Sequence, residues 1–181
     1  MAVKLVKPIN HKKVVKITNQ DFEAKMRELR VNSDIAVAVS GGPDSLALMH
    51  LSNRYALNNN INLTVLSIDH GIRAESSKEI VWLKKVAKKN KINFYSTKLK
   101  KKINSSNTLS KARTLRYEAL SKYCNKKKIK FLLTAHHLDD EIENFLMRLI
   151  RGSGVKGLSS LKVKSRYKNT KLILVRPLLE Y

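Results

Sequence analysis

Cysteine occurs once in the 181 residues, as Cys124. A lone thiol excludes an intrachain disulfide framework and leaves no C-x-x-C pair. No apolar run is long enough to span a bilayer, and the opening MAVKLVKPINHKK lacks the apolar stretch of a signal peptide. These absences point away from a membrane partner and leave the cytoplasm as the expected compartment. Acids are scarce as well, with 14 Asp and Glu against 37 Lys and Arg and a formal charge of +23. A field of that sign attracts a polyanion and makes binding fall steeply with salt. Nucleic acid is the leading partner on this ground, against the plainer alternative that runs such as Lys126 to Lys128 are solvated faces in a Lys-, Asn- and Ile-rich chain. The length allows one domain with a sizeable core.

Against these absences stands IAVAVSGGPDSLALMHL, Ile35 to Leu51. Ile35 to Val39 is continuously apolar and β-branched, the pattern of a strand buried on both faces of a parallel sheet. Leu46, Leu48, Met49 and Leu51 recur at helical spacing. Between them Gly41 and Gly42 let backbone N–H groups approach a ligand, and Pro43 suits a first helical turn. Orphan N–H groups at a helix start favour an anion, with Ser40 and Ser45 as further donors, so phosphate is the natural guest. The loop is not of the Walker type, because no lysine follows the glycines. Asp44 stands there instead, and an acid beside phosphates implies a divalent ion between them. An ordinary strand-to-helix turn with Asp44 as a first-turn acid is the competing account.

Along the chain, a polar arm leads into a helix DFEAKMRELR started by Thr18 or Asn19, then the strand and helix above. LNNNIN is a turn, LTVLSID from Leu63 to Asp69 a strand, and Ser76 or Ser77 with Glu79 opens a third helix. A strand around INFYSTKL, a loop NSSNTLSKA, a helix RTLRYEALSKYC, a strand from Phe131 to Ala135 and a last strand KLILVRPLL complete the order, with a flexible-looking GSGVKGLSSL before it. Strand and helix alternate without hairpin signals until the end, which predicts an α/β fold, a doubly wound mainly parallel sheet with helices on both faces. Ligands of such sheets lie beyond the carboxyl ends of the strands. Three polar clusters fall there: SGGPDS, DHGIR with Asp69 and His70, and AHHLDDEIEN. In the last, Asp139, Asp140 and Glu143 can share a helix face, which invites magnesium or a raised pKa, or else serves only the helix dipole while His136 and His137 cap the strand end. A zinc site is disfavoured, since no third soft ligand is near the adjacent histidines. Arg113 and Arg116, three apart and followed by Tyr117, could grip a phosphate, a carboxylate or a base.

SGGPDS resembles the pyrophosphate loop of the ATP pyrophosphatases, which cleave ATP between the α- and β-phosphates to adenylate a carbonyl. Taken in order, SGGPDS, DHGIR, ARTLRY, TAHHLDDEIEN and RLIRGSGVKGL resemble the catalytic domain of the tRNA(Ile)-lysidine synthetases, over about Ile35 to Leu179. The family usually shows DDQ-x-E-T; this chain has DDEIEN, so Glu141 and Asn144 replace the amide and the hydroxyl. The resemblance implies a Rossmann-like fold of the adenine nucleotide alpha hydrolase type, with an arm and helix at 1–33 joined to a PP-loop catalytic domain at 34–181. The tRNA-binding domains of long members are expected to be absent. It implies ATP and Mg2+ as cofactors, free L-lysine and a tRNA(Ile) with a CAU anticodon as partners, and lysidine as product; a homodimer stays open. By the same resemblance Ser40, Gly41, Gly42, Pro43, Asp44, Ser45, Asp69 and His70 bind the nucleotide, and Asp44 with Asp140 the metal. Asp139, Asp140, Glu143, Arg113, Arg116 and His136 carry catalysis. Three alternatives remain. An RNA thiolase of the same loop class is disfavoured by the lone cysteine, since sulfur-inserting relatives commonly use paired cysteines or a cluster. An amide synthetase gives no reason for the basic charge. The third is a non-catalytic nucleotide- or RNA-binding remnant.

Overall fold

Helices and strands alternate through the computed structural model, which describes residues 17–69, 76–98, 108–137 and 162–181. The order is α1 Asn19–Glu28, β1 Ile35–Ala38, α2 Pro43–Asn58, β2 Leu63–Asp69, α3 Ser76–Lys89, β3 Asn93–Lys98, α4 Thr108–Lys126, β4 Phe131–Leu133, β5 Lys164–Arg166 and β6 Ile173–Val175. The six strands form one sheet in the order β3-β2-β1-β4-β6-β5, parallel except for β5, which runs antiparallel to β6 at the edge. The sheet is therefore the mainly parallel, Rossmann-like one expected. Alternate side chains serve its two faces. Ile35, Val37, Val65, Phe131 and Leu133 pack with residues of α1, α2 and α3, whereas Ala36, Leu66, Leu132 and Leu174 pack with Tyr117, Leu120 and Cys124 of α4. The sequence order of the strands reverses between β1 and β4, which makes their carboxyl ends the expected ligand crevice.

Each helix delivers the chain to the next strand through the same device. Arg30, Asn60, Lys91 and Lys128 adopt positive φ just past the four helix ends. One residue later, Val31, Ile61, Ile92 and Ile129 donate their N–H groups back to Met26, Ala56, Ala87 and Cys124. This is a Schellman motif with its apolar clasp, built without the glycine that usually takes the left-handed position. The N-terminus of α1 is closed by a capping box between Thr18 and Asp21.

At four places the structure departs from the sequence expectation. NSSNTLSKA was expected as a loop, but α4 already begins at Thr108; Ser and Thr disfavour helix interiors yet are tolerated in a first turn, where their polarity misleads. The last strand is shorter than KLILVRPLL, ending at Val175 before Arg176 and Pro177, and Leu178 and Leu179 bury themselves in a turn instead. The expected strand to Ala135 ends at Leu133, although the Thr134 N–H still donates to Val175 O at 3.0 Å. Strand β5 had no sequence signal: three polar residues pair with β6 because Tyr167 to Thr170 turn the chain, Thr170 N–H donating to Tyr167 O at 3.1 Å. GSGVKGLSSL lies outside the described residues. No described helix is long and apolar enough to cross a membrane.

Candidate functional site

The turn from β1 into α2 is held open by its own hydrogen bonds. Gly41 has φ +97°, and Gly42 caps α2 with no side-chain hydrogen bond, so the first-turn N–H groups keep no cap of their own. Ser45, buried, ties the loop together: its Oγ accepts from Ser40 N–H at 3.2 Å, donates to Gly42 O at 2.9 Å and lies 3.3 Å from Ser40 Oγ. Pro43 occupies the start of the helix, where its missing N–H costs nothing. Exposed Asp44 follows, and His137 Nε2 lies 3.7 Å from its carboxylate, bringing the end of β4 beside the loop.

Beyond β4, His136 is held from both ring nitrogens. Its Nδ1 lies 3.0 Å from Thr134 Oγ1 and its Nε2 3.5 Å from Arg113 Nη2. A guanidinium only donates, so in the contact with Arg113 the imidazole nitrogen is the accepting partner. The guanidinium carbons of Arg113 and Arg116 stand 5.9 and 5.6 Å from the centre of the Tyr117 ring. Tyr117 in turn stacks on Tyr167 at 5.9 Å, which connects the arginines to the β5–β6 turn.

These elements enclose a cleft of about 290 Å³ at the carboxyl ends of β1, β2 and β4. Ser40, Gly42, Asp44, Ser45, Arg116 and His136 all line it, as do apolar Ala38, Leu66, Ile68, Ile80, Leu83 and Leu120. Gly41 and Pro43 shape the turn, and Arg113 reaches the cleft through its contact with His136. Asp69 is buried at the end of β2 but is not among the cleft-lining residues. His70, Asp139, Asp140 and Glu143 lie outside the described residues. Sequence reasoning did not place Ser67, Glu79 or Thr134 in the cleft. Thr134 directly follows β4 and Ser67 lies two residues before the end of β2, a signal partly available from position, while Glu79 reads as a first-turn acid and carries none. Cys124 faces the core beneath α4, and burial pushes its thiol up to about 12, well above the range of a reactive thiolate.

Comparison with known proteins agrees with this geometry. A family model described as a PP-loop domain matches residues 10–181. The tRNA(Ile)-lysidine synthase of Rickettsia bellii (strain OSU 85-389) is 49% identical over 146 residues, covering 81% of this chain and 33% of that protein. That of Wolbachia pipientis wMel is 42% identical over 153 residues, covering 83% of this chain and 35% of that protein. The chain thus spans about a third of the length of the curated relatives it matches. Among solved structures, the U34-tRNA thiolase NcsA from Methanococcus maripaludis with its 4Fe-4S cluster aligns at TM-score 0.72 and 25% identity, covering 89% of this chain and 59% of that one. The Candida glabrata FMN adenylyltransferase in complex with FMN and the ATP analogue AMPCPP aligns at TM-score 0.52 and 14% identity over 90% of this chain and 52% of that one, a likeness of fold alone. With a strand, a glycine pair and an uncapped helix start opening on the sheet's switch point, and a family model matched over nearly its whole length, the chain belongs to the PP-loop family of ATP-binding domains.

Proposed function

We propose that this chain is the adenylating core of a tRNA(Ile)-lysidine synthase. It activates the wobble cytidine of an isoleucine tRNA with ATP and joins free lysine to it. The observation that carries the proposal is the cleft itself, which is lined by apolar side chains suited to a purine, a glycine turn with uncapped N–H groups for phosphates, and the polar side chains of Arg116 and His136. The likeness to lysidine synthases of two bacterial genera supports the substrate choice. A thiolase reading is weaker, because this chain supplies a single cysteine and that one is buried, whereas iron–sulfur clusters take several thiolate ligands.

In the first step the ring carbonyl oxygen of the cytidine attacks the α-phosphorus of ATP, and the bond to the β-phosphate breaks. Charge moves onto the departing pyrophosphate, where the N–H groups of the α2 first turn and the hydroxyl of Ser40 stabilise it. Asp44 offers a hard oxygen donor at the rim of the cleft, which suits an ion that binds one or two carboxylates together with phosphate oxygens. Asp44 and Asp140 would hold magnesium, whose role is to neutralise charge on the phosphates. In the second step the side-chain amine of lysine attacks the adenylated carbon and AMP leaves. The amine must first be uncharged, and a carboxylate from Asp139, Asp140 or Glu143 takes its proton. Arg113 or Arg116 holds the lysine carboxylate or an RNA phosphate.

The test is formation of AMP and pyrophosphate from ATP in the presence of tRNA and lysine. Wild-type chain is expected to produce both, and Asp44→Ala and Ser45→Ala each to lose at least about tenfold, the effect of removing an ion ligand or a loop-forming hydroxyl from a charged transition state. Unchanged AMP release by both variants would reject the loop as the phosphate site.

A further inference from the structure

The nucleotide cleft occupies only one side of α3. Ile80 and Leu83 line it, and Leu83 and Ala87 pack into the core. The opposite side presents Val81 and Trp82, 55% and 47% exposed although both are large and apolar. Lys78, Val81, Trp82 and Lys85 line a shallow groove of about 340 Å³. Lys78 precedes Trp82 by four residues and Lys85 follows it by three, the spacing of neighbours on a helix face. Lys89 extends the row by another turn. The helix carries five lysines against one glutamate, Glu79. Among the described residues, cations stack over Tyr117, Phe131 and Tyr167, but none over the Trp82 indole.

We propose that the outer face of α3 docks an unpaired segment of RNA, with a base stacked on Trp82 and the flanking phosphates on Lys78, Lys85 and Lys89. The proposal rests on the reading of RNA as substrate, and it adds a binding surface one helix away from the cleft. An exposed aromatic ring inside a basic row is the combination by which single strands are held, stacking supplying base contact and ammonium groups the backbone contact. A paired helix would not serve, because its base faces are hidden. A bilayer is the poorer occupant: a membrane-surface helix inserts a broad apolar face, and here the inner apolar side of α3 is already taken by the sheet, leaving Val81 and Trp82 alone.

Trp82 is the only tryptophan in the chain, so indole emission reports this groove directly. The full chain is titrated with an anticodon stem-loop RNA, a blunt RNA duplex of equal length, and phosphatidylserine vesicles. Binding of a fluorescent ATP analogue is measured separately, without RNA. The stem-loop is expected to quench the emission and the duplex to leave it nearly unchanged. Trp82→Ala should weaken stem-loop binding about tenfold, Trp82→Phe much less, and Lys85→Glu severalfold with a shallower salt dependence. All three variants should bind the ATP analogue as wild type does, which also shows that they are folded. Stem-loop binding without quenching, and with equal affinity for Trp82→Ala, would overturn the groove and leave the substrate reading intact. A blue shift on vesicles with no response to RNA would assign the face to membranes and likewise overturn it. ATP binding by a wild-type chain that binds no RNA would instead reject the substrate reading, and the groove with it.

Discussion

Gly41 and Gly42 are adjacent but are glycine for different reasons. At Gly41 the backbone turns to φ +97°, a region L side chains avoid, although a Cβ there would meet nothing within 4 Å. Gly42 has an ordinary φ of −71°, and its added Cβ would meet only Ser40 Oγ at 3.7 Å. Gly41→Ala is therefore expected to lower stability by about 1 kcal/mol or more. Gly42→Ala should melt as wild type does while losing ATP affinity, since its methyl group stands where phosphate would approach. Thermal denaturation of both variants, with and without ATP, checks this, and an equal loss of stability would contradict it. The glycine pair was legible in sequence as a phosphate turn, but the division of labour was not, because φ is a property of the folded chain. Cys124 is a second case. Its thiol is held neutral to about 12 in the fold, against an ordinary value of 9.0, so the unfolded chain loses the proton first and stability falls as pH rises between those values. Below the lower value the thiol has no pH effect. The stability advantage of wild type over Cys124→Ala should accordingly be smaller at pH 10.5 than at pH 8, as measured by urea denaturation, and a pH-independent gap would show the thiol to be less buried than it is here.

The helix ends show how a chain with 6 glycines makes sharp reversals. At Lys91 and Lys128 the lysine backbone accepts positive φ because the following isoleucine N–H bonds back into the helix and its side chain clasps the core. Glycine at either position should be more stable than alanine by about 1 kcal/mol, since both remove the charge and only alanine keeps the strained Cβ. At Lys84, in the middle of α3, the order should reverse by a similar amount. Denaturation midpoints of the six variants test the point, and alanine equal to glycine at Lys91 would mean that the left-handed turn is not fixed. Boundaries at these ends were readable from periodicity and from the apolar residue after each turn, as LNNNIN was read as a turn. β5, by contrast, stayed invisible: Lys164, Ser165 and Arg166 have no strand pattern, and they pair because the turn at Tyr167 to Thr170 brings them to an open edge, where Lys164 Nζ also reaches Leu29 O at the end of α1.

The sheet brings SGGPDS and the end of β4 to one cleft from opposite sides of the switch point, and α4, on the face opposite α2 and α3, adds Arg116. That convergence was legible from strand ends alone, whereas the contribution of α3 was not, since which face of a helix meets a cleft depends on the crossover. With +23 of formal charge, RNA binding by this chain should be dominated by phosphates, with affinity dropping steeply across a salt series and little preference among tRNAs; strong discrimination surviving high salt would contradict that. Asp139→Asn and Asp140→Asn should impair turnover more than RNA binding, because a carboxylate repels the backbone it would otherwise contact; lost RNA affinity with normal turnover is the contrary result. Substrate and chemistry are tested together by mass spectrometry of nucleosides from an isoleucine tRNA with a CAU anticodon, after incubation of the chain with ATP, magnesium and isotope-labelled lysine. The expected product is a cytidine derivative carrying the whole labelled lysine, formed with one AMP for each lysine joined. Unlabelled cytidine beside hydrolysed ATP, or a sulfur-bearing nucleoside, would contradict the proposed function.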